Sequence, residues 1–508
     1  MNIGSLLPRH ARYRPEHLAF VIGEQRLNFH ELNSRVNCLA NALLKAGIRK
    51  GQKMATVLSN CEELMLLYWA AAKTGIVIVP SSPLLQASGL TTLLRDSDTV
   101  IVFAEDSFTS IMEQIREDLP NVEKERWILV GEGIEGSGYQ MWTDFISDAS
   151  DEEPPDAELK DDDVYNIMYS SGTTGAPKGI VHTHYVRANY CIQFASAWRM
   201  TPESVVLHSG AIVFNGAMLD LMPWMYLGAT YILHQTFDAG AVLQTIEQEK
   251  VTHIVMVPSQ IVALLNHPEF DPKKLKSLEM LQSVGAPLLL EYKHKLNDVL
   301  PGIFYELYGV TEGFFSVLDR DDAVSKVGSV GAAPAFIDIR ILRENGEDCD
   351  PDEVGEICGR GPMMMPGYYN RPDLTEKTIV NGWLHSGDLG YLDTDGYLYL
   401  VDRVKDMIIS GGVNVYPKDI EEIIIKHPEV IEVAVFGVPD KKWGETPVAA
   451  VICLKNHNVS AEKLTAWTNE RVDAKFQRVK EILILESFPL NVAGKTLKRE
   501  MRDAYINS

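Results

Sequence analysis

The sequence has few cysteines, no CxxC pair and no long apolar run. Its 508 residues include six cysteines, and the two that lie closest in sequence are nine residues apart. This scarcity argues against a disulfide framework or a zinc knuckle and favours a reducing compartment, so we expect a cytoplasmic protein. No stretch approaches the roughly 18 apolar residues of a membrane span, and the N-terminal residues lack the apolar core of a signal peptide. We therefore expect no integral membrane segment.

Basic residues are also in deficit. The chain has 47 lysines and arginines against 70 aspartates and glutamates, a formal net charge of −23 at pH 7. Such a surface repels the phosphates of nucleic acids and of anionic lipids, so we expect no nucleic-acid partner. An anionic substrate would require positive charge and backbone N–H groups concentrated at one site.

Alternating helix and strand patterns dominate the N-terminal part of the sequence. The predicted strands include Lys53–Leu58, Ile76–Pro80, Val164–Met168, Thr230–Leu233, His253–Val257 and Ile303–Leu307. Short apolar strands separated by helices of about 10–15 residues indicate parallel βαβ units. We therefore predict an α/β fold with a large N-terminal domain of βαβ-type sheets and helices.

Two segments have the composition of domain boundaries. Ser147–Tyr165 carries nine acids and one lysine, which predicts a solvated connector. After about residue 400 the pattern changes to that of a small α+β domain. We predict an N-terminal domain over residues 1–404 and a mobile C-terminal domain over residues 405–508, with a hinge near Lys405.

The strongest local signal is the segment from Tyr169 to Gly179. It follows a predicted strand and holds four hydroxyl residues, three glycines and one lysine in eleven positions. Glycines let backbone N–H groups approach an oxyanion, hydroxyls donate hydrogen bonds and lysine supplies charge, so this segment predicts a phosphate-binding loop. A Walker A loop is excluded at the Gly-Lys-Thr of Gly494–Thr496, because Pro489 stands where the first glycine is required.

Two other motifs are better explained without a ligand. The segment Gly131–Gly136 matches GxGxxG, but two acids occupy the position of the pyrophosphate, so we interpret it as a surface turn. His182 and His184 form an HxH pair without a nearby third ligand, so we predict no metal there.

Four further blocks follow along the chain: Leu307–Glu312, Trp383–Asp388, Asp402–Asn414 and Pro489–Arg499. Each block alone also fits an ordinary core aromatic, turn, surface strip or basic tail. In their joint order, with the hydroxyl-rich loop, the blocks resemble the adenylate-forming superfamily of acyl-CoA synthetases, adenylation domains and luciferases, and most of all its AMP-forming acyl-CoA ligases. The resemblance covers essentially the whole chain.

This resemblance implies a two-step reaction that uses ATP, Mg²⁺ and coenzyme A. A small-molecule carboxylic acid attacks the α-phosphorus of ATP, which releases pyrophosphate and leaves an acyl-adenylate. Mg²⁺, Lys178 and Lys495 would offset the repulsion between the two anions. Coenzyme A then attacks the acyl carbon and releases AMP, and Gly411 and Gly412 would let its pantetheine arm pass close to the backbone. The resemblance leaves a homodimer open.

The resemblance also implies roles at the phosphates. Lys495 would bridge the substrate carboxylate and the α-phosphate, and Thr311 would donate its hydroxyl to the α-phosphate. Thr173 and Glu312 would contact Mg²⁺. The loop around the β- and γ-phosphates would comprise Ser170, Ser171, Gly172, Thr173, Thr174, Gly175 and Lys178.

Other residues would hold the adenosine. Tyr308 would cover a face of the adenine, with Glu306 and the turn Gly285-Ala286-Pro287 at its edge. Asp388 would accept hydrogen bonds from both ribose hydroxyls, since a carboxylate suits two donors, and Arg403 would add a third ribose contact.

The acid pocket is less well defined by the resemblance. Phe214 occupies the position of an aromatic gate, where many acyl-CoA synthetases have histidine. Amino-acid-activating relatives usually have an aspartate at the next position, and Asn215 pairs poorly with a buried ammonium, so an amino acid substrate is disfavoured. Asparagine there also resembles aryl-acid activators, although a structural asparagine at a strand end fits equally. The other apolar lining residues would be Met218, Gly309, Val310, Phe314 and Phe315.

These features together predict an AMP-forming carboxylic acid–CoA ligase that acts on a fatty, medium-chain or aryl acid. The alternative is a stand-alone adenylating enzyme that loads a carrier protein, and the lack of a carrier domain in this sequence favours coenzyme A without deciding. A non-catalytic or luciferase-like relative is disfavoured, because the sequence has all the ionic residues of the motifs. These residues are Lys178, Glu312, Asp388, Arg403 and Lys495.

Overall fold

The structure, a computed structural model, describes residues 1–132, 139–170, 178–403, 406–410, 413–455, 457–472, 474–490 and 496–507. The chain forms two compact units, one of Met1–Asp338 with Gly359–Leu384 and one of Ile339–Cys358 with His385–Ser508. Both units contain helices and strands, so the predicted α/β class with a large and a small part is confirmed. The predicted hinge residue Lys405 lies outside the described residues, and the boundary at residues 404 and 405 stays a prediction.

The first unit contains two sheets, which are built from the first fifteen strands. These strands are β1 (Leu18–Ile22), β2 (Gln25–Asn28), β3 (Lys53–Val57), β4 (Val77–Ser81), β5 (Thr99–Glu105), β6 (Trp127–Val130), β7 (Gln140–Met141), β8 (Val164–Ser170), β9 (Lys178–Thr183), β10 (Val205–His208), β11 (Thr230–Leu233), β12 (His253–Met256), β13 (Met280–Ser283), β14 (Phe304–Gly309) and β15 (Phe315–Leu318). The predicted strands are confirmed to within two residues at either end.

Most strand pairs in these sheets are parallel. The eight-stranded sheet has the order β15-β14-β13-β12-β10-β11-β1-β2, and the seven-stranded sheet has the order β7-β6-β5-β3-β4-β8-β9. The antiparallel pairs are β1–β2, β14–β15 and β8–β9. Parallel neighbours need crossover connections, which helices supply, so the predicted βαβ units are confirmed. The carboxyl ends of the parallel strands lie along one edge of each sheet, where open α/β sheets bind ligands.

Helices connect the strands of both units. They are α1 (Leu6–Tyr13), α2 (Phe29–Lys45), α3 (Glu62–Thr74), α4 (Ala87–Asp96), α5 (Thr109–Arg116), α6 (Trp142–Ile146), α7 (His184–Ala197), α8 (Met218–Leu227), α9 (Ala239–Glu249), α10 (Pro258–Leu265), α11 (Leu290–Val299), α12 (Pro372–Thr378), α13 (Pro417–Ile424), α14 (Ala461–Asn469) and α15 (Lys498–Asn507). A capping box of Asn28 and Glu31 begins α2, which explains why the helix starts directly after β2. No helix in the described part of the chain combines the length and the hydropathy needed to cross a membrane.

The remaining strands lie mostly in the second unit, apart from the short strand Ile379–Val380, which belongs to the first. They are β16 (Asp338–Leu342), β17 (Gly355–Arg360), β18 (Ile379–Val380), β19 (Trp383–Leu392), β20 (Leu398–Arg403), β21 (Ile408–Ser410), β22 (Val413–Val415), β23 (Val430–Asp440), β24 (Gly444–Cys453) and β25 (Ile482–Ile484). β23 and β24 form a long antiparallel hairpin, and β25 lies parallel to β24. One apolar cluster joins α13, α14 and these strands through Ile420, Leu464 and Val435. The α+β pattern predicted after residue 400 is confirmed.

The acidic segment Ser147–Tyr165 does not separate two domains, although most of it is exposed, as predicted for a solvated connector. It lies within the first unit. Part of it packs along α2, where Asn37 Nδ2 donates a hydrogen bond to the backbone oxygen of Asp151 at 2.9 Å. The sequence pattern showed the charge of this segment but not its partners, because those partners come from two helices at least 80 residues upstream.

A buried lysine explains why the acidic segment packs there. The side chain of Lys73 is 3% exposed, and its Nζ donates to Glu153 Oε2 at 2.8 Å, to Asn33 Oδ1 at 2.7 Å and to Asn37 Oδ1 at 2.5 Å. Burial lowers the pKa of Lys73 to about 8, although Glu153 opposes the shift. An ammonium group removed from water needs such partners, so Glu153 ties the acidic segment to α2 and α3.

We expect Glu153→Ala to loosen the acidic segment, because the variant loses the carboxylate that compensates the charge of Lys73. Glu153 is half exposed, so the expected loss of stability is moderate, about 1–2 kcal/mol. Thermal unfolding and amide hydrogen exchange along α2 and α3 would measure it. Glu152→Ala removes an exposed neighbouring carboxylate and is the matched control. Equal losses in the two variants would contradict this role of Glu153.

Candidate active site

The hydroxyl-rich segment connects the two strands of the β8–β9 hairpin. Ser170 at the end of β8 pairs with Lys178 at the start of β9, so the chain leaves and re-enters the sheet at one point. The other predicted phosphate-loop residues lie outside the described residues, and their role stays a prediction. They are Ser171, Gly172, Thr173, Thr174 and Gly175.

A tight turn after β14 presents Thr311 and Glu312. The backbone N–H of Gly313 donates to the oxygen of Val310 at 3.0 Å, which closes the turn. Gly313 has a φ of +148°, and a Cβ at this position would lie 2.3 Å from the Cα of Met364. Only glycine fits here without displacing the neighbouring backbone.

Two neighbouring segments hold the backbone carbonyls of this turn. Nε2 of His182, on β9, lies 2.9 Å from the oxygen of Thr311. The N–H of Met365 donates to the oxygen of Glu312 at 2.8 Å. These bonds fix the backbone of the turn and leave the Thr311 hydroxyl and the Glu312 carboxylate for other partners.

Tyr368 connects two of the predicted site residues. Its hydroxyl donates to Glu312 Oε1 at 2.8 Å, and Nζ of Lys178 lies 5.3 Å from the centre of its ring, a cation–π distance. Burial, and then the charge of Glu312, raise the pKa of Tyr368 well above its ordinary value. The phenol therefore remains a hydrogen-bond donor, and Lys178 and Glu312 belong to one cluster.

The sequence analysis did not single out Tyr368. A bridge between Ile180 and Tyr368, and a 2.7 Å hydrogen bond from the N–H of Tyr369 to the oxygen of Gly179, place this segment beside β9. These residues are almost 190 positions apart in sequence. The paired tyrosines after Gly367 were a visible signal, but only the pairing with β9 shows which of them enters the site.

The residues predicted to contact the adenine lie near the ends of β13 and β14. Tyr308 is half-buried near the end of β14. Glu306 is buried, forms an ion pair with Lys293 and accepts a 3.4 Å hydrogen bond from the N–H of Leu288 at Oε1. The exposed turn Gly285-Ala286-Pro287 directly precedes Leu288. Glu306 therefore supports the chain beside this turn.

Residues predicted for the acid pocket lie near the ends of β10 and β14 in the same sheet. Phe214 and Asn215 follow β10, and Asn215 Nδ2 donates to the hydroxyl of Tyr190 at 3.2 Å. Met218 is fully buried at the start of α8. The two predicted lining residues at the end of β14 are Gly309 and Val310.

The loop between β10 and α8 is held by hydrogen bonds from three residues that the sequence analysis missed. Asn60 Nδ2 donates to the oxygen of Gly210 at 2.6 Å, and its Oδ1 accepts from the N–H of Ile212 at 2.9 Å. Nδ1 of His208 and Oδ2 of Asp220, at the two sides of this loop, lie 2.8 Å apart. No short motif marks these residues, since Asn60 comes from a different part of the chain.

In the second unit, Asp388 and Arg403 form an ion pair. They are opposite each other on β19 and β20, and Arg403 Nε lies 3.1 Å from Asp388 Oδ1. Gly387, with a φ of +72°, donates its N–H to Glu356 Oε1 at 3.1 Å, and the N–H of Asp388 donates to Ser386 Oγ at 3.0 Å. A hydrogen-bonded turn thus presents the carboxylate with a cation beside it.

Glu356, Cys358 and His385 form a trio of potential metal ligands in the second unit. Nδ1 of His385 lies 2.8 Å from Glu356 Oε2 and 3.4 Å from Cys358 Sγ. Burial, and then the charge of Glu356, raise the pKa of the Cys358 thiol to about 12. Because Glu356 also accepts the hydrogen bond from the N–H of Gly387, we assign the trio to the support of the turn before Asp388.

Other predicted positions lie outside the described residues. Gly411, Gly412 and Lys495 are among them, as are residues 133–138, which include most of the GxGxxG segment. Their roles stay predictions. His182 belongs to the site through its contact with Thr311, whereas the sequence analysis considered it only as half of an HxH pair.

Two family models match the chain. The model of the AMP-binding enzymes matches residues 7–369, and the model of the AMP-binding enzyme C-terminal domain matches residues 419–495. Feruloyl-CoA synthase of an Amycolatopsis species is 35% identical over 506 residues, 99% of this chain and 98% of the relative. Long-chain-fatty-acid–CoA ligase FadD13 of Mycobacterium tuberculosis is 33% identical over 514 residues, with the same coverage.

A solved structure has the same fold over its full length. ATP-bound MatB from Rhodopseudomonas palustris matches with a TM-score of 0.90 and 27% identity over 99% of each chain. The first family model covers most of this chain, and the relatives exceed 30% identity over nearly its whole length. The predicted superfamily is therefore confirmed, and the chain belongs to the family of AMP-binding enzymes.

Proposed function

We propose that this chain is an ATP-dependent, AMP-forming ligase that joins a carboxylic acid to coenzyme A. The observation that carries the proposal is the cluster of Lys178, Tyr368 and Glu312 beside the turn that presents Thr311. It combines a cation, a hydroxyl and a carboxylate next to a hydroxyl-rich loop, as phosphate chemistry requires. The predicted acid–thiol ligase activity is confirmed at the level of the family, since the relatives named above are CoA ligases.

The first step requires an anionic carboxylate to approach a polyanion. Lys178 supplies positive charge at the base of the phosphate loop, and Lys495 supplies it between the carboxylate and the α-phosphate. The Thr311 hydroxyl donates to the α-phosphate, because the backbone of its turn is already held. Preorganised donors of this kind lower the barrier because they need not reorient as charge develops.

Glu312 fits the predicted role of a Mg²⁺ ligand. The Tyr368 hydroxyl donates to Oε1 of Glu312, and no partner of Oε2 is found among the described residues. Carboxylate and hydroxyl oxygens are ligands that Mg²⁺ accepts. Glu312 and Thr173 would hold the ion. Bound there, it would neutralise part of the charge of the phosphates.

Different residues bind the adenosine and guide the thiol of coenzyme A. Tyr308 covers the adenine, with Glu306 and the turn Gly285-Ala286-Pro287 at its edge, and the ion pair of Asp388 and Arg403 binds the ribose. Gly411 and Gly412 line the path of the pantetheine arm.

The acid is fatty, medium-chain or aryl. Three features of the predicted pocket support an apolar acid, namely the neutral Asn215, the aromatic Phe214 and the buried Met218. Two of the relatives named above, a feruloyl-CoA synthase and a long-chain-fatty-acid–CoA ligase, are in keeping with this range of acids. A cytoplasmic location and a homodimer remain predictions.

The decisive experiment measures AMP release from ATP with a panel of fatty, medium-chain and aryl acids, with and without coenzyme A. We expect at least one acid to give AMP and an acyl-CoA thioester in equal amounts. AMP without thioester in the presence of coenzyme A would favour a carrier-protein acceptor. No AMP with any acid of the panel would contradict the proposal.

Lys495→Ala should nearly abolish formation of the acyl-adenylate. Loss of one preorganised charged donor costs on the order of 10²–10³-fold in rate. Pyrophosphate exchange would measure this step, and transfer from a pre-made acyl-adenylate to coenzyme A should suffer far less. Arg499→Ala, an exposed cation on α15, is the control. Equal losses in the two half-reactions would overturn the role of Lys495.

Tyr368→Phe should lower the apparent affinity for Mg²⁺ by about 10-fold, because Glu312 loses the hydrogen bond that orients its carboxylate. The ring beside Lys178 is retained. Titration of pyrophosphate exchange with Mg²⁺ would measure the change. Tyr369→Phe is the matched control, since that hydroxyl donates to Asp98 at 2.7 Å instead. The same shift in both variants would refute the assignment.

Asp388→Ala should raise the KM for ATP and leave the KM for the acid nearly unchanged, because the carboxylate would contact only the ribose. Steady-state kinetics with each substrate varied in turn would show the difference. Asp395→Ala, an exposed carboxylate in the β19–β20 connection, is the control. A rise in the KM for the acid alone would place Asp388 in another site.

A further inference from the structure

Arg187, on α7, is a fully buried arginine in the first unit. Its Nε donates to Asn166 Oδ1 at 2.9 Å, and Nη2 donates to Nδ1 of His182 at 3.2 Å. The guanidinium also lies 4.5 Å from the ring centre of Tyr190. An amide, an imidazole and a phenol ring therefore surround this cation.

No ion pair with an aspartate or glutamate is recorded for Arg187 among the described residues. Burying a charge without a counter-charge costs several kcal/mol, so a purely structural role would be served better by an apolar side chain of similar size. Burial lowers the pKa of Arg187, but an arginine guanidinium remains protonated in proteins. The chain therefore retains a costly cation at this position.

The cation determines which nitrogen of His182 carries the proton. A guanidinium can only donate hydrogen bonds, so Nδ1 of His182 must accept, and the neutral ring then has its proton on Nε2. Nε2 lies 2.9 Å from the oxygen of Thr311, so the ring donates to that carbonyl. Burial, and then the charge of Arg187, also lower the pKa of His182 well below its ordinary value, which keeps the ring neutral.

We propose that Arg187 is a positioning residue for adenylate formation, which acts by fixing the tautomer of His182. The fixed tautomer holds the oxygen of Thr311, and with it the turn that presents Thr311 and Glu312. In the opposite tautomer, the Nε2 lone pair would face the carbonyl oxygen and the bond would be lost. This inference rests on the proposed function only for its effect on rate, because the tautomer is a property of the free protein.

The same arginine also supports the predicted acid pocket. The ring of Tyr190 lies against the guanidinium, and the Tyr190 hydroxyl accepts a 3.2 Å hydrogen bond from Asn215. One buried cation therefore contacts two side chains that each reach a different part of the site. These side chains are His182, on the α-phosphate side, and Tyr190, on the acid side.

The direct test is the ¹⁵N spectrum of the histidine rings in the free, full-length protein. The shifts of the two ring nitrogens distinguish the tautomers, and a His182→Gln spectrum assigns the signal of His182. We expect a single Nε2–H form in the unmodified protein and a mixture, or the other form, in Arg187→Met. A pure Nε2–H form in Arg187→Met would overturn the inference, whatever the activity.

The kinetic test separates positioning from binding. Arg187→Met should lower kcat for pyrophosphate exchange by about 10- to 100-fold, the cost of a misplaced reacting group, and leave the KM for ATP within about twofold. Transfer from a pre-made acyl-adenylate should be nearly unchanged. Arg187→Lys, which keeps a charged donor, should recover part of the rate. Equal losses in both half-reactions, or no recovery by lysine, would contradict the proposal.

A double-mutant cycle tests whether Arg187 and His182 act through the same series of hydrogen bonds. The variant with both Arg187→Met and His182→Phe should be no slower than the slower single variant, since each change breaks the same connection. If the rate loss of the double variant equals the product of the two single losses, the two residues act independently and the proposal is overturned. Arg199→Met is the control for removing an arginine, because Arg199 is bound to Asp319 and Asp321 near the surface. Absence of activity in the unmodified protein would instead contradict the proposed function and leave the spectroscopic result standing.

Discussion

The candidate site depends on one constraint, that the backbone of the Val310–Gly313 turn is held from outside. His182 holds one carbonyl and Met365 holds the next, while Gly313 has no room for a side chain. The carbonyls of Val310, Thr311 and Glu312 each have a hydrogen-bond partner, so the turn presents its two functional side chains from a fixed backbone. If one of these carbonyls lacked a partner, the Thr311 hydroxyl could donate to it instead of to a ligand.

Charge is the second organising feature of this protein. The chain has a net charge of −23, yet several of its cations are held in place by specific partners. Lys73 is buried against Glu153 and two amides, and Arg187 is buried against a neutral histidine. Lys178 stands at the start of β9, beside an aromatic ring. An acidic exterior with a few placed cations suits a protein that must bind anions selectively at one site.

Much of the fold could be predicted from the sequence, because short-range patterns determine it. Apolar runs such as Thr230–Leu233, separated by amphipathic helices, require parallel strands and crossover connections. The roles of Lys178, Thr311 and Glu312 could be proposed for a similar reason, since each stands in a local motif. The acidic segment Ser147–Tyr165 was wrongly placed at a domain boundary, because its composition resembles that of an interdomain linker, while its hydrogen-bond partners lie on α2 and α3.

The sequence by itself determined the fold class, the family and the residues within contiguous motifs. The tertiary structure alone decided which distant side chains complete the site, as Tyr368 does for Glu312 and Arg187 does for His182. The physical reason is that hydrogen bonds depend on distances of about 3 Å between atoms, and these follow from the pairing of segments far apart in the chain. A periodic pattern specifies which face of a strand is buried, but it carries no information about the residue that will lie opposite.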